Sequence, residues 1–307
     1  MTAEGWVPYR ASDGSREVVP RKLAERAREL AAGRLSPVLP RDAATIVLLR
    51  QGAGVQAYLL RRTGTLDFAP GACVFPGGSV DERDADPAIG WAGPSPGDFA
   101  DQLNTSPERA RALVCAAVRE TFEEAGVLLA GPSPTTLLDD SAALVQDRHA
   151  LLAGSVSFGE LLARRRLLLR TDLLTPWARW ITPEASPRRF DTWFFAAALP
   201  PGQTAALASP AEHHDPAEPE GPARPGESDE GTWLEPSAAL ESARAGEIAL
   251  LPPTAVTLGE LAAEQDVTGI LARRRVISPR LPKVMIGAEG AWLAVPRHDP
   301  RAGETQA

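Results

Sequence analysis

Apolar and polar positions alternate along the chain in two rhythms that divide it into helices and strands. Residues 21–32 carry the helical rhythm and end at Gly33, followed by Pro37 and Pro40. Ala43–Arg50 and Val55–Arg62 read as β-strands, and Gln51-Gly52-Ala53-Gly54 between them is a hairpin signal. The apolar run Ala72–Phe75 leads into Pro76-Gly77-Gly78, which reads as a turn. From Asp81 to Thr105, Asp, Pro, Gly and Ala dominate, so an irregular insert is expected over about 85–105.

A helix is then predicted from Ser106, a good N-cap followed by Pro107 and Glu108, to Gly126, a natural C-terminal stop. Val114, Val118 and Phe122 give it a buried stripe, and Val127–Leu129 reads as a strand just beyond. Residues 137–169 suggest a helical addition in two pieces (about 137–170 with its flanks). Trp177–Thr182 and Phe190–Leu199 suggest strands. A Pro/Glu/Gly loop over about 200–226 is expected to be mobile. A short strand at Thr232–Leu234, helices at 237–245 and 254–264, and a hairpin from Val284–Ile286 to Trp292–Val295 complete the prediction. The implied organisation is an N-terminal extension over 1–40 and one domain over 41–300.

Composition narrows the class. With 44% hydrophobic and 23% charged residues among 307, a sizeable core is expected. No apolar run approaches a membrane span, and no signal-peptide pattern opens the chain, so neither a membrane nor a secreted role is expected. The net charge of −8 argues against a nucleic-acid partner. Cys73 and Cys115 are too few for a disulfide framework and read as buried thiols. Thirty of the 32 basic residues are arginine, a bias that suggests a GC-rich bacterial genome, and a cytoplasmic location is expected.

The chemistry concentrates in Arg119-Glu120-Thr121-Phe122-Glu123-Glu124-Ala125-Gly126. On a helix, Glu120, Glu123 and Glu124 share one face, although like charges at that spacing repel. Three hard oxygen ligands on one face suit Mg²⁺ or Mn²⁺; a solvated acidic face is the competing reading. Gly77 and Gly78 allow close backbone approach and a carbonyl ligand, or form an ordinary tight turn.

Together these segments resemble the Nudix box: Gly, five residues, Glu, seven residues, then Arg-Glu-x-x-Glu-Glu-x-Gly. Gly78 fills the first position, Asp84 falls where the first Glu is expected, and Arg119 to Gly126 match the second half. Gly78 and Arg119 are 41 residues apart here, so the box is split by an insertion of 27 residues. The chain is similar to the Nudix hydrolase superfamily, and within it to the subgroup of the peroxisomal coenzyme A diphosphatase. Phe68–Ala72, Trp180–Pro183 and Arg188–Phe195 carry the same resemblance.

The resemblance implies an α-β-α sandwich around a mixed sheet and hydrolysis of a nucleoside diphosphate derivative with Mg²⁺ or Mn²⁺. Glu120, Glu123, Glu124 and the Gly78 carbonyl would be the metal ligands, with Arg119 paired to one of the carboxylates. Glu227, or its neighbour Glu230, would be the additional glutamate such enzymes recruit; both equally fit a solvated acidic loop. Arg62 and Phe75 align with a motif of coenzyme A-cleaving members, in which Asp67 replaces an arginine. Arg188 and Arg189 would grip a phosphate or cap a strand end. Coenzyme A or an acyl derivative is the leading substrate, with ADP-ribose, a dinucleotide cofactor or a nucleotide sugar as alternatives. A Nudix fold that only binds a nucleotide is a third reading. Nudix proteins are often dimers, and the helical additions offer a surface for a homodimer contact.

Overall fold

A computed structural model describes residues 6–9, 16–64, 71–208, 228–288 and 290–296. At its centre lies β2 (Arg41–Gln51), apolar on both faces because both are covered. It pairs antiparallel with β3 (Val55–Arg62) through the predicted hairpin, which sets Leu49 opposite Ala57. The sheet continues through β4 (Ala72–Val74) on one side, with β5 (Gly77–Ser79) also paired to β2. Three further strands, β6 (Trp91–Ala92), β7 (Ala130–Gly131) and β8 (Leu168–Arg170), form a small separate sheet. On the other side of the main sheet, β10 (Phe190–Ala198) runs parallel to β2 and is followed by β9 (Thr175–Ile181). The strand β11 (Ser228–Leu234) pairs with β3, and short β12 (Ala249–Leu250) and β13 (Pro279–Arg280) close the edges.

Odd and even positions of these strands feed two cores. Ile46, Leu48, Tyr58, Leu60, Trp193 and Phe195 meet Val114, Val118 and Phe122 of the helix α3 (Pro107–Ala125). Val47, Leu49, Leu59 and Phe194 meet Leu258 and Ile270 on the opposite face. The first face also holds α2 (Pro96–Leu103), α4 (Val145–Leu152) and α5 (Phe158–Arg165). The second is covered by α6 (Pro236–Arg244), α7 (Pro252–Leu261) and α8 (Val267–Ala272). The expected α-β-α sandwich around a mixed sheet is therefore present. The helix α1 (Arg21–Ala31) packs beside a third sheet, in which β1 (Trp6–Pro8) joins the hairpin of β14 (Lys283–Gly287) and β15 (Gly290–Pro296).

Three expectations are corrected. Pro76 does bend the chain, but Gly77 and Gly78 continue as β5, with Gly78 opposite Ala44. The insert is folded: Ser95 and Asp98 form a capping box at α2, and Phe99 and Leu103 are buried in the first core. Val127–Leu129 is buried without being a strand. Its Leu128 N–H and C=O are instead bonded by the amide of buried Gln203, at 2.9 and 3.0 Å, which does the work a neighbouring strand would do. The helix α8, for which the sequence predicts no element, starts on the Asp266 cap. Most of the loop expected to be mobile, from 209 to 226, lies outside the described residues.

Candidate active site

The helix α3 begins where its caps place it: Ser106 accepts from Arg109 N–H, and Gly126 ends it in the left-handed region. An Ser N-cap of this kind contributes about 1 kcal/mol. Its apolar stripe fixes the rotation of the helix on the sheet, so Arg119, Glu120, Glu123 and Glu124 lie together along the margin of the core. The C-terminal turn is held by buried Arg148, which donates to the carbonyls of Glu123 at 2.9–3.0 Å and Ala206 at 3.1 Å. A cation here also opposes the negative end of the helix dipole.

The two halves of the split motif meet. Gly77 N–H donates to Glu124 Oε2 at 2.8 Å. Glu120 lies against the backbone at Gly78 so closely that a Cβ there would stand 2.5–2.6 Å from its carboxylate atoms. Pairing of β5 with the start of β2 makes this approach, because it fixes the glycines beside the helix.

Arg119 sits at the centre of the acidic set. Its guanidinium donates to both oxygens of Asp84 at 3.0 Å, to Glu120 Oε1 at 2.7 Å, to Glu123 at 3.2–3.3 Å and to the Ser79 carbonyl at 2.8 Å. Asp84 is 2% exposed and also accepts from Asp81 N–H. It therefore takes the position of a partner to Arg119, held by a tight 3₁₀ turn at Glu82–Ala85. Burial pushes Glu120 up to about 7; Arg119 pulls it down and Glu123 pushes it up. Burial raises Glu123 in the same way. Burial opposes the charge on Arg119, but Asp84, Glu120 and Glu123 outweigh it and raise its pKa.

Among the described residues, no three Asp, Glu, His or Cys side chains already stand together at metal-ligand spacing. Arg119 occupies the space between Glu120 and Glu123, and Glu124 is turned to Gly77 N–H. The donor set nevertheless fits a hard divalent cation: three carboxylates, Asp84, Glu120 and Glu123, share the one guanidinium of Arg119.

The remaining residues singled out in the sequence are scattered. Phe75 is 3% exposed and packs edge-on to Phe194 in the second core, on the other face of the sheet, so a substrate-facing role is corrected. Arg189 is buried and spends its guanidinium on the carbonyls of Thr182 and Val38, at 3.0 and 2.7 Å; it caps the strand end and does not present to a phosphate. Arg188 is exposed before β10, and Arg62 is half-buried at the end of β3. Glu227 lies outside the described residues, whereas Glu230 pairs with Arg61 at 2.7 Å. Arg148 was not singled out in the sequence, because nothing local links it to the end of a helix 25 positions earlier.

Comparison with known proteins bears on this arrangement. The model described as the NUDT19 Nudix domain matches residues 97–261. The chain is 29% identical over 226 residues to the putative nudix hydrolase 7 of Caenorhabditis elegans, covering 74% of this chain and 62% of that protein. It is 31% identical over 239 residues to the human acyl-coenzyme A diphosphatase NUDT19, covering 65% of this chain and 58% of that protein. The chain thus spans about three fifths of the length of these curated relatives. A crystal structure of a NUDIX hydrolase from Alicyclobacillus acidocaldarius superposes with a TM-score of 0.61 at 28% identity, over 78% of this chain and 98% of that one.

Proposed function

We propose, from the premise that this chain belongs to the NUDT19 Nudix domain family, that it is a metal-dependent hydrolase of a diphosphate linkage in a nucleoside diphosphate derivative, with coenzyme A or acyl-coenzyme A as the substrate. The observation that carries the reading is the closure of Gly77 and Gly78 onto Glu124 and Glu120 across the split motif. The family model begins at residue 97 and does not cover the glycine half of the motif, which this geometry joins to the helix.

Glu120, Glu123 and Glu124, with the Gly78 carbonyl, would hold Mg²⁺ or Mn²⁺. When bound, such an ion supplies positive charge to a polyanionic substrate and lowers the pKa of water. The protein's own part is positional. Asp84 holds Arg119, Arg119 keeps Glu120 and Glu123 from moving apart, and the Glu124–Gly77 bond ties the acidic face to the sheet. Arg62, at the β3 end where its carbonyl accepts from Gly71 N–H, and exposed Arg188 are the proposed cationic contacts to substrate.

A second reading keeps the chemistry and changes the substrate to ADP-ribose, a dinucleotide cofactor or a nucleotide sugar. Asp67 keeps it open, since it replaces an arginine of the motif of coenzyme A-cleaving members, an arginine that the resembled peroxisomal subgroup also lacks. The test is incubation of coenzyme A, acyl-coenzyme A, ADP-ribose, NADH and a nucleotide sugar with Mg²⁺ or Mn²⁺, followed by product identification. Release of an adenosine bisphosphate and a phosphopantetheine supports the leading reading. Cleavage of ADP-ribose but not coenzyme A supports the second, and cleavage of none reduces the protein to a nucleotide-binding module.

A further inference from the structure

The α3 face of the sheet presents another polar group that the proposed chemistry leaves unused. Tyr58 is 2% exposed within the core that contains Phe122, and its ring lies 5.1 Å from that of Trp233, its cross-strand partner. Its hydroxyl has no hydrogen-bond partner among the described residues. The hydroxyl is not one of the sealed, unpartnered polar atoms of the core, so it is open to a bonding partner from outside it.

The direction of the ring shows where that partner would come from. Tyr58 does not stand straight above its own row of the sheet: its hydroxyl abuts Gly231, where any Cβ would collide with it. Gly231 is paired with Leu60, one row further along the same face, and Leu60 is paired in turn with Val74. Val74 is three residues from Gly77, whose N–H holds Glu124. The phenol therefore leans towards the glycine and carboxylate end of the sheet. Arg148, bound to the Glu123 carbonyl, is near enough to act on the phenol electrostatically. An O–H donor beside a guanidinium selects an anionic oxygen.

We propose that the Tyr58 hydroxyl is a substrate-binding donor that bonds to a non-bridging phosphate oxygen of the nucleoside diphosphate, and that residue 231 is glycine so that this hydroxyl can reach it. The inference rests on the function proposed above and adds to it a residue outside the motif. Tyr58 binds substrate and takes no part in proton transfer.

The test uses the full chain and the substrate that the panel identifies. Tyr58→Phe removes one oxygen and keeps the ring. KM is expected to rise about tenfold with kcat within twofold, and the melting temperature is expected to hold or rise. Calorimetric affinity for ADP in Mg²⁺ is expected to fall by a similar factor, a measurement that stands even if the wild-type protein cleaves nothing in the panel. Gly231→Ala, which presses a methyl group on the hydroxyl, is expected to reproduce the KM effect. Unchanged KM and unchanged ADP affinity in Tyr58→Phe would overturn the proposal, as would a fall in melting temperature with KM unaltered.

Discussion

Glu124 accepts a hydrogen bond from the backbone N–H of Gly77, 47 positions earlier, at 2.8 Å. This contact, with the bond from Arg119 to the Ser79 carbonyl, joins β5 to the acidic helix and makes one site of two distant segments. The chain between them can vary in length without moving either end, provided β5 stays paired to β2.

Gly78→Ala should be more damaging than an alanine substitution ordinarily is. The new methyl would meet the Glu120 carboxylate at 2.5–2.6 Å, so either the carboxylate or β5 must shift. Loss of about 100-fold in kcat is expected, in line with the cost of displacing a catalytic group by about 1 Å. Steady-state kinetics beside a circular-dichroism melt would separate displacement from unfolding.

Glu123→Gln and Glu124→Gln are expected to lose most turnover while the fold persists. Added Mg²⁺ should raise the melting temperature of the wild-type protein and have a much smaller effect on either variant, because a ligand that binds only the native state stabilises it. Normal activity in both variants would remove their assigned role.

Asp84→Asn keeps the size of the side chain and removes the charge that faces Arg119. Both groups are largely buried, with side-chain exposures of 2% and 11%, so the cost of breaking the pair should be about 3 kcal/mol. Urea unfolding of the metal-free protein measures it directly. A variant as stable as the wild type would show that Arg119 is satisfied by Glu120 and Glu123 alone.

Far from the site, Glu260 pairs with Arg275 at 2.7 Å and Arg280 at 2.8 Å. Burial pushes its carboxyl up, but the two guanidinium groups outweigh that and hold it below its ordinary 4.5. Its contribution to stability is therefore complete above about pH 4.5 and is lost as pH falls through the lower folded value. Glu260→Gln should flatten the acid limb of the stability profile and lower stability at pH 7. Chemical denaturation between pH 3 and 7 checks both.

Gln203→Ala should destabilise the protein by about 3 kcal/mol, because it strips partners from the Leu128 N–H and C=O and from the Leu138 carbonyl. Faster amide exchange at Leu128 is the specific signature.

What could be read from the chain alone was whatever a segment decides for itself. The helix at 107–125 carries its own caps and stripe, the hairpin at residues 51–54 its own turn, and the spacing of Glu120, Glu123 and Glu124 puts three carboxylates on one face before any tertiary contact exists. The misreadings were places where the partner is distant. Gly77 and Gly78 look like a turn until β2 pairs with them; the capping box of Ser95 and Asp98 was legible, but its composition masked the apolar contacts of Phe99 and Leu103. Leu128 is bonded by a side chain 75 positions away, and Phe75 faces the second core because the strand alternation sends it there. Local periodicity thus determined the acidic helix, while the sheet pairing decided what that helix faces: backbone hydrogen bonds in a sheet fix register between segments to a few tenths of an ångström, and no spacing within one segment encodes that.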